Sequence, residues 1–354
     1  MNYERSVDKP LDAWLIDCPD EHFPSNNGSL YKLRYPHISK FMQKYHEEVE
    51  KGAIFNTIKE GKCSPEQIPY LNNHGTGHVH TVITKASQLI QEASCKITPY
   101  EGYLLLFAIQ LHDIGNIFGR DDHEKKCSDI MNALGGTAGL DKPEKRTVVN
   151  IASVHGGLTD DGGKDTISTL EPDPRALLGQ DVRSRLLAAI LRFSDELADD
   201  SSRASTLALT HDIIPHDHPS RLCQVYSQSL HSVMVEKKEI RLGFEIEGDM
   251  ATECFLKNGK EIFLLDEIYS RVLKMYTELI YCMRFMRPKF EVSRIRMEIE
   301  IYSSKTPDPL RIQDTLEESG YPAFYKDIYA LCPRLKDYTG AAIKEQILSK
   351  HGVS

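Results

Sequence analysis

A mainly α fold with a smaller C-terminal α+β module is what the 354-residue sequence predicts, and three observations carry that expectation. Apolar residues recur at helical spacing through roughly 35–235. Helix start and stop signals divide that stretch into pieces of ordinary helix length. Beyond about 236 the period becomes alternating, and Asn258-Gly259 separates two short apolar runs.

Residues 1–34 are rich in Pro, Asp and Asn and are expected to form an irregular lead-in. Thr98-Pro99-Tyr100-Glu101 offers an N-cap, a first-turn proline and a capping-box glutamate. The helix that follows, through Leu104, Leu105, Phe107, Ala108 and Leu111, is apolar nearly all round and should be central. It stops near Gly115. Further helices are expected after Asp121-Asp122 as far as Gly135-Gly136, over about 145–155, and over about 181–199. The connection from Leu158 to Arg175 is long and poor in apolar residues; connections of that kind inside a domain are usually functional or disordered, and this one is expected to lie over the mouth of the site and gate substrate. In 236–304, Ile240, Leu242, Phe244 and Ile246 alternate as a strand. Cys254–Leu256 and Glu261–Leu264 form the arms of a hairpin, a helix covers about 266–286, and Val292 to Ile301 gives another strand. The tail, 305–354, is expected to be helical. The expected division is therefore 1–34, 35–235, 236–304 and 305–354.

Hydrophobic residues make up 40% and charged residues 27%, which are ordinary globular values. A net charge of −9 disfavours nucleic acid and anionic membranes as partners, while leaving room for a local basic pocket. Met1-Asn2-Tyr3-Glu4-Arg5 has no signal-peptide pattern, and the most apolar stretch, Tyr103–Leu111, is about half a membrane span. Eight scattered cysteines without a C-x-x-C pair fit reduced thiols in a cytoplasm.

Several acidic and imidazole groups fall on buried helix faces. His112-Asp113 ends the most apolar helix; Asp195 shares a face with Leu187 or Leu191; His78 shares one with Val82, Ala86 and Leu89. A carboxylate facing a core is costly unless a positive group compensates it, and a divalent cation would serve both carboxylates at once. Mixed imidazole and carboxylate donors suit Mn, Fe, Co, Ni or Zn. His123, with Cys127, Ile130 and Leu134 on its face, and His155, with Val148, Ile151 and Ala152 on its face, fit the same logic. Six such groups could hold two metals.

The order His … His-Asp … Asp resembles the HD-domain phosphohydrolase superfamily. The segments that carry the resemblance are His78-Val79-His80-Thr81-Val82, Leu111-His112-Asp113-Ile114-Gly115 and Leu191 to Asp199. It implies an all-helical HD-type domain around a metal held by His78, His112, Asp113 and Asp195. His123, in Asp122-His123-Glu124, and His155, in Ser153-Val154-His155-Gly156, look like the extra ligands of two-metal members. The implied activity is hydrolysis of a phosphoester or phosphoanhydride, with a nucleotide as the small-molecule substrate. Asp113 would bridge the metals at the catalytic centre, and manganese is among the cations expected. Ile114-Gly115-Asn116-Ile117-Phe118-Gly119-Arg120 departs from the stretch that follows His-Asp in the superfamily's triphosphohydrolases.

Phosphate also needs cationic and polar donors. His74, Asn116, Arg120, Lys125, Arg192 and Arg203 are the candidates for substrate contact, by their position in the sequence. His80 points to another face, the polar run His211 to His218 reads as a loop, and Asp160 to Lys164 lacks a phosphate-loop pattern. Two other readings remain open: a catalytically weak nucleotide-binding regulator, acting as a homo-oligomer or on a protein partner through 236–354, and a single-strand nuclease, which the acidic balance disfavours.

Overall fold

Residues 97–111 carry the strongest local instructions in the chain, and the fold is arranged around them. A computed structural model describes residues 9–59, 74–92, 97–118, 122–257, 259–287, 290, 292–302, 308–317 and 325–349. The chain divides into two compact units, one of residues 1–68, 74–198 and 282–290, the other of 69–73, 199–281 and 291–354. The division at 198/199 lies ahead of the 235/236 boundary expected from the change of period.

Among the described residues the first unit is helical apart from one short hairpin. Its elements are α1 (Leu11–Asp17), α2 (Gly28–Lys59), α3 (Thr76–Glu92), α4 (Pro99–Leu111), α5 (His123–Leu134), α6 (Lys142–Ser153), the hairpin β1 (Arg175–Leu177) and β2 (Gln180–Val182), and α7 (Ser184–Leu197). All thirteen residues of α4 are buried, as its uniform apolarity requires. Its start is fixed by the expected capping box: Thr98 Oγ1 accepts from the Glu101 backbone N–H, and Glu101 Oε2 accepts from the Thr98 N–H. α6 begins at Lys142, earlier than its apolar pattern suggests, because Asp141 and Glu144 form a second capping box. α7 begins at Ser184 because 180–182 pairs with 175–177 as an antiparallel hairpin.

The expectation of an irregular lead-in is corrected by the structure. α1 buries Leu11, Trp14 and Leu15, Phe23 is fully buried, and α2 is helical from residue 28, passing through Pro36. Trp14 and the two leucines are spaced for one helical face, and that burial outweighs the polar composition around them.

In the second unit a mixed four-stranded sheet has the order β3 (Leu230–Val235), β4 (Glu239–Glu247), β7 (Arg294–Tyr302), β8 (Leu310–Glu317). β4 and β7 are parallel and the outer pairs antiparallel. The crossover between β4 and β7 holds α10 (Gly248–Thr252), the hairpin of β5 (Cys254–Lys257) and β6 (Lys260–Phe263), and α11 (Leu264–Met286). The remaining helices are α8 (Thr206–Thr210), α9 (Pro219–Ser229) and α12 (Gly340–Ser349). The hairpin arms pair in the expected register, Cys254 with Phe263 and Lys257 with Lys260; Asn258 itself lies outside the described residues. The helical tail is corrected in part. Residues 310–317 are a strand whose Ile312 and Leu316 are buried at positions four apart, on the same face of the strand. Among the described residues no helix is long and apolar enough to cross a membrane.

One carboxylate joins the starts of two helices in the first unit. Glu101, with no exposure, accepts from the Arg183 backbone N–H (3.0 Å), from Arg183 Nε (2.8 Å) and from Arg183 Nη2 (2.6 Å). Arg183 immediately precedes α7, so Glu101 sets both the first turn of α4 and the entry to α7. Breaking a fully buried pair costs ~3–5 kcal/mol, and partial exposure of Arg183 reduces this to roughly 2–4 kcal/mol. Glu101→Gln should lower the stability of the chain by that amount in urea denaturation.

Candidate metal centre

Helix polarity brings the candidate ligands together. His112 and Asp113 immediately follow α4, His155 follows the end of α6 by two residues, and Asp195 lies in the last turn of α7. Each of these ends carries the negative pole of its helix, which favours a cation there. His78 comes from the first turn of α3 and His123 begins α5.

Two donor groups result, and Asp113 belongs to both. Asp113 Oδ2 and Asp195 Oδ1 face His78 Nε2 at 3.4 and 3.1 Å, and His112 Nε2 at 3.5 and 3.6 Å. Asp113 Oδ1 faces His123 Nε2 at 3.2 Å and His155 Nε2 at 3.8 Å. Donors that share one ion at about 2.0–2.2 Å lie about 3 Å or somewhat more from each other. Both groups therefore have the spacing of ligands around a common centre.

The proton positions agree with that geometry. His112 Nδ1 donates to the Ile109 carbonyl and His155 Nδ1 to the Ala152 carbonyl, each at 2.7 Å. This is the same device twice, an imidazole capping the carbonyl three residues earlier, and it leaves Nε2 as the lone-pair atom aimed at the cluster. His78 Nε2 and His112 Nε2 are buried without a hydrogen-bond partner. Orphaned buried nitrogens are costly, and a cation between them would remove that cost.

The charges point the same way. Burial favours a neutral His112, but the Asp113 and Asp195 carboxylates outweigh it and lift the ring to about 9. Burial also opposes ionisation of Asp113, yet His112, His74 and His123 hold it well below the usual carboxylate range. Asp195 is held down in the same sense by His112 and His78 against its burial. His155 is pushed down to about 4 by burial and then by repulsion from His112, so its ring is neutral. The two carboxylates thus demand positive charge, which the His112 ring answers, while His155 offers a neutral nitrogen donor. Those buried His and Asp groups could hold a divalent metal.

The remaining candidates are distributed differently. His74 Nδ1 lies 2.8 Å from Asp113 Oδ2, placing it on the shared carboxylate. The Asn116 side-chain amide donates to the Asp113 backbone carbonyl at 2.9 Å and closes the turn after α4. Arg192 is buried and donates to Thr166 Oγ1 and the Lys164 carbonyl. Lys125 is exposed beside Asp122, and Arg203 belongs to the second unit, 3.7 Å from Asp199. Arg120 lies outside the described residues. The connection after His155 is fastened rather than open over much of its length. Arg192 holds 164–166, Arg185 holds the Ser168 and Leu170 carbonyls, and the Asp173 carboxylate accepts from the first N–H groups of α7.

Two features escaped the sequence reading. Glu124 is 5% exposed, with Oε2 at 3.3 Å from His123 Nδ1, and so orients that ring from behind. Its signal was present, since Glu124, Cys127 and Met131 share one helical stripe. Gly115 is the second. A Cβ there would lie 1.9 Å from the His123 carbonyl oxygen, so the turn after Asp113 and the start of α5 touch backbone to backbone.

A family model described as HD-CE matches residues 68–247, just over half of the chain. No curated protein matches it closely enough to count as a relative.

Gly115→Ala tests the contact that sets the second donor group. The added methyl cannot fit without moving the start of α5, and overpacking of this kind costs ~1–3 kcal/mol. A crystal structure of the variant should show His123 Nε2 withdrawn from Asp113 Oδ1 beyond its 3.2 Å, with the His78–Asp195 contact retained.

Proposed function

Because the chain belongs to the HD-CE family, we propose that its His/Asp cluster holds divalent transition-metal ions and that the protein is a phosphohydrolase of the HD type its motifs resemble. The observation that supports this most directly is Asp113, whose two oxygens face two different imidazole pairs. His78, His112, Asp113 and Asp195 would hold one ion, and Asp113, His123 and His155 a second. A divalent ion bound there acidifies water and polarises a phosphoryl oxygen, the two requirements for hydrolysis near neutral pH.

The chain's own residues supply orientation. The Ile109 and Ala152 carbonyls fix the tautomers of His112 and His155, Glu124 fixes His123, and His74 fixes one oxygen of Asp113. Side-chain exposure is 26% for Asp195, 14% for His123 and 11% for His74, against 5% or less for the other four. Those three side chains form the accessible rim, so a phosphate group approaches across them. The substrate we propose is a nucleotide, on the resemblance of the motifs to the HD phosphohydrolases.

The test is a hydrolysis screen of mono-, tri-, cyclic and dinucleotides with Mn, Co, Ni, Mg and Zn, run beside elemental analysis. The wild type should carry metal and turn over at least one class. Asp113→Asn should lose metal and reduce turnover by about 100-fold or more. His123→Ala should lower the metal content from two ions to about one. A protein that binds no metal under any supplementation, or whose turnover survives Asp113→Asn, overturns the reading.

A further inference from the structure

A cavity of about 410 Å³ opens in the first unit between α6 and the β1–β2 hairpin, and none of its lining residues belongs to the His/Asp cluster. Lys142, Arg146 and Asn150 line it from α6 at positions i, i+4 and i+8, which form one stripe of the helix. The opposite face of α6 is its core side, with Glu144, Val148, Ile151 and Ala152 buried. Arg175 enters from β1, Ser184 from the first turn of α7, and Leu177 and Val182 are the buried apolar residues of the lining.

The charge of this cavity is not balanced by the protein. Among the described residues neither Lys142 nor Arg146 has an ion-pair partner, although the chain as a whole carries −9. Among the described residues Arg175 pairs with Glu171 alone, at 3.6 Å, and both side chains are more than half exposed, so the pair is weak. Like charges four apart on a helix repel, and the hairpin adds a third cation to the same hollow. The nearby helix starts are already served by their own carboxylates, Asp141 for α6 and Asp173 for α7. The positive charge is therefore carried by the three side chains.

We propose that this cavity binds a small polyanion of the phosphate class, either free polyphosphate or the phosphate tail of a nucleotide. Three cations match several closely spaced negative charges, and the volume lies in the range of small-molecule sites. The Asn150 amide and Ser184 hydroxyl can meet polar edges, and Leu177 and Val182 give an apolar wall on which a base would rest. A long nucleic acid needs a continuous basic track, which a single hollow does not provide. Placement gives the site a reach beyond itself. α6 runs from the cavity to His155, and β2 leads through Arg183 into α7, which carries Asp195.

Calorimetric titration of the full-length protein in chelator-containing buffer tests the proposal, with tripolyphosphate and ATP as separate ligands. One site per chain is expected. Arg146→Glu and Arg175→Glu should each weaken it about tenfold or more, the size of one charge-assisted contact, and Arg146→Gln should weaken it less. Asp113→Asn should leave it intact, which separates this site from the His/Asp cluster. Tighter binding of ATP would assign the nucleotide, and equal binding the phosphate chain alone. The proposal is overturned if the charge reversals change nothing, if Asp113→Asn abolishes binding, or if only a single-stranded oligonucleotide binds.

Discussion

An ionised carboxylate can sit at the buried end of an apolar helix only if positive charge meets it there, and Asp113 is in that position. α4 is apolar because it is enclosed on every side, and the carboxylate that follows its last turn is buried in the same interior. The fold answers with imidazoles delivered from α3, α5 and α6, and from α4 itself. Around Asp113 the nitrogen donors outnumber the carboxylates, so the cluster could hold a divalent cation between imidazole nitrogens and two negative groups.

The far ends of the same helices are held by another carboxylate. Glu101 ties the starts of α4 and α7 through Arg183, while Asp113 and Asp195 meet at the other ends. The distance between the two acidic ligands is thus governed at both extremities of a helix pair. In the second unit a cationic side chain meets two carboxylates in the same sense. Arg271 lies over the Tyr226 ring at 4.2 Å and meets Asp199 and Glu267, each at 2.7 Å.

Much of this was legible in the residue pattern, and the gaps have physical causes. α4 could be located because capping box, proline and uniform apolarity agree, and consistency across levels makes a local reading dependable. The six ligand candidates stood out as polar groups on apolar faces. Other features depend on partners remote in sequence. β8 is a strand because β7 presents an edge to it, and residues 11–17 fold because α4 and Ser87 wait to receive them. The pairing of 175–182 was hidden because its arms are only three residues long and its turn places Leu178, rather than Asn or Asp, at a positive φ before Gly179. Proximity in sequence could not show where the cation candidates point: Arg192 donates to the loop at 164–166 and Lys125 lies beside Asp122 at the surface. Gly115 was visible as a helix stop, but its close approach to His123 is a tertiary fact. Gly157 is comparable, with φ at +72° and room for no side chain against Glu124.

Suspending donors from the last turns of helices has a dynamic consequence. Helix ends open at lower free energy than helix bodies, because fewer hydrogen bonds and contacts must be broken there. Segments 112–116 and 153–157 can therefore fray while the interior of α4 remains closed to exchange with solvent. A cation knitting three such ends together would act as a local clasp, raising their opening energy far more than that of the whole unit. Loss of the ion and loss of the fold would then be separate events, with exchange of backbone amide hydrogens at the helix ends preceding any global melting.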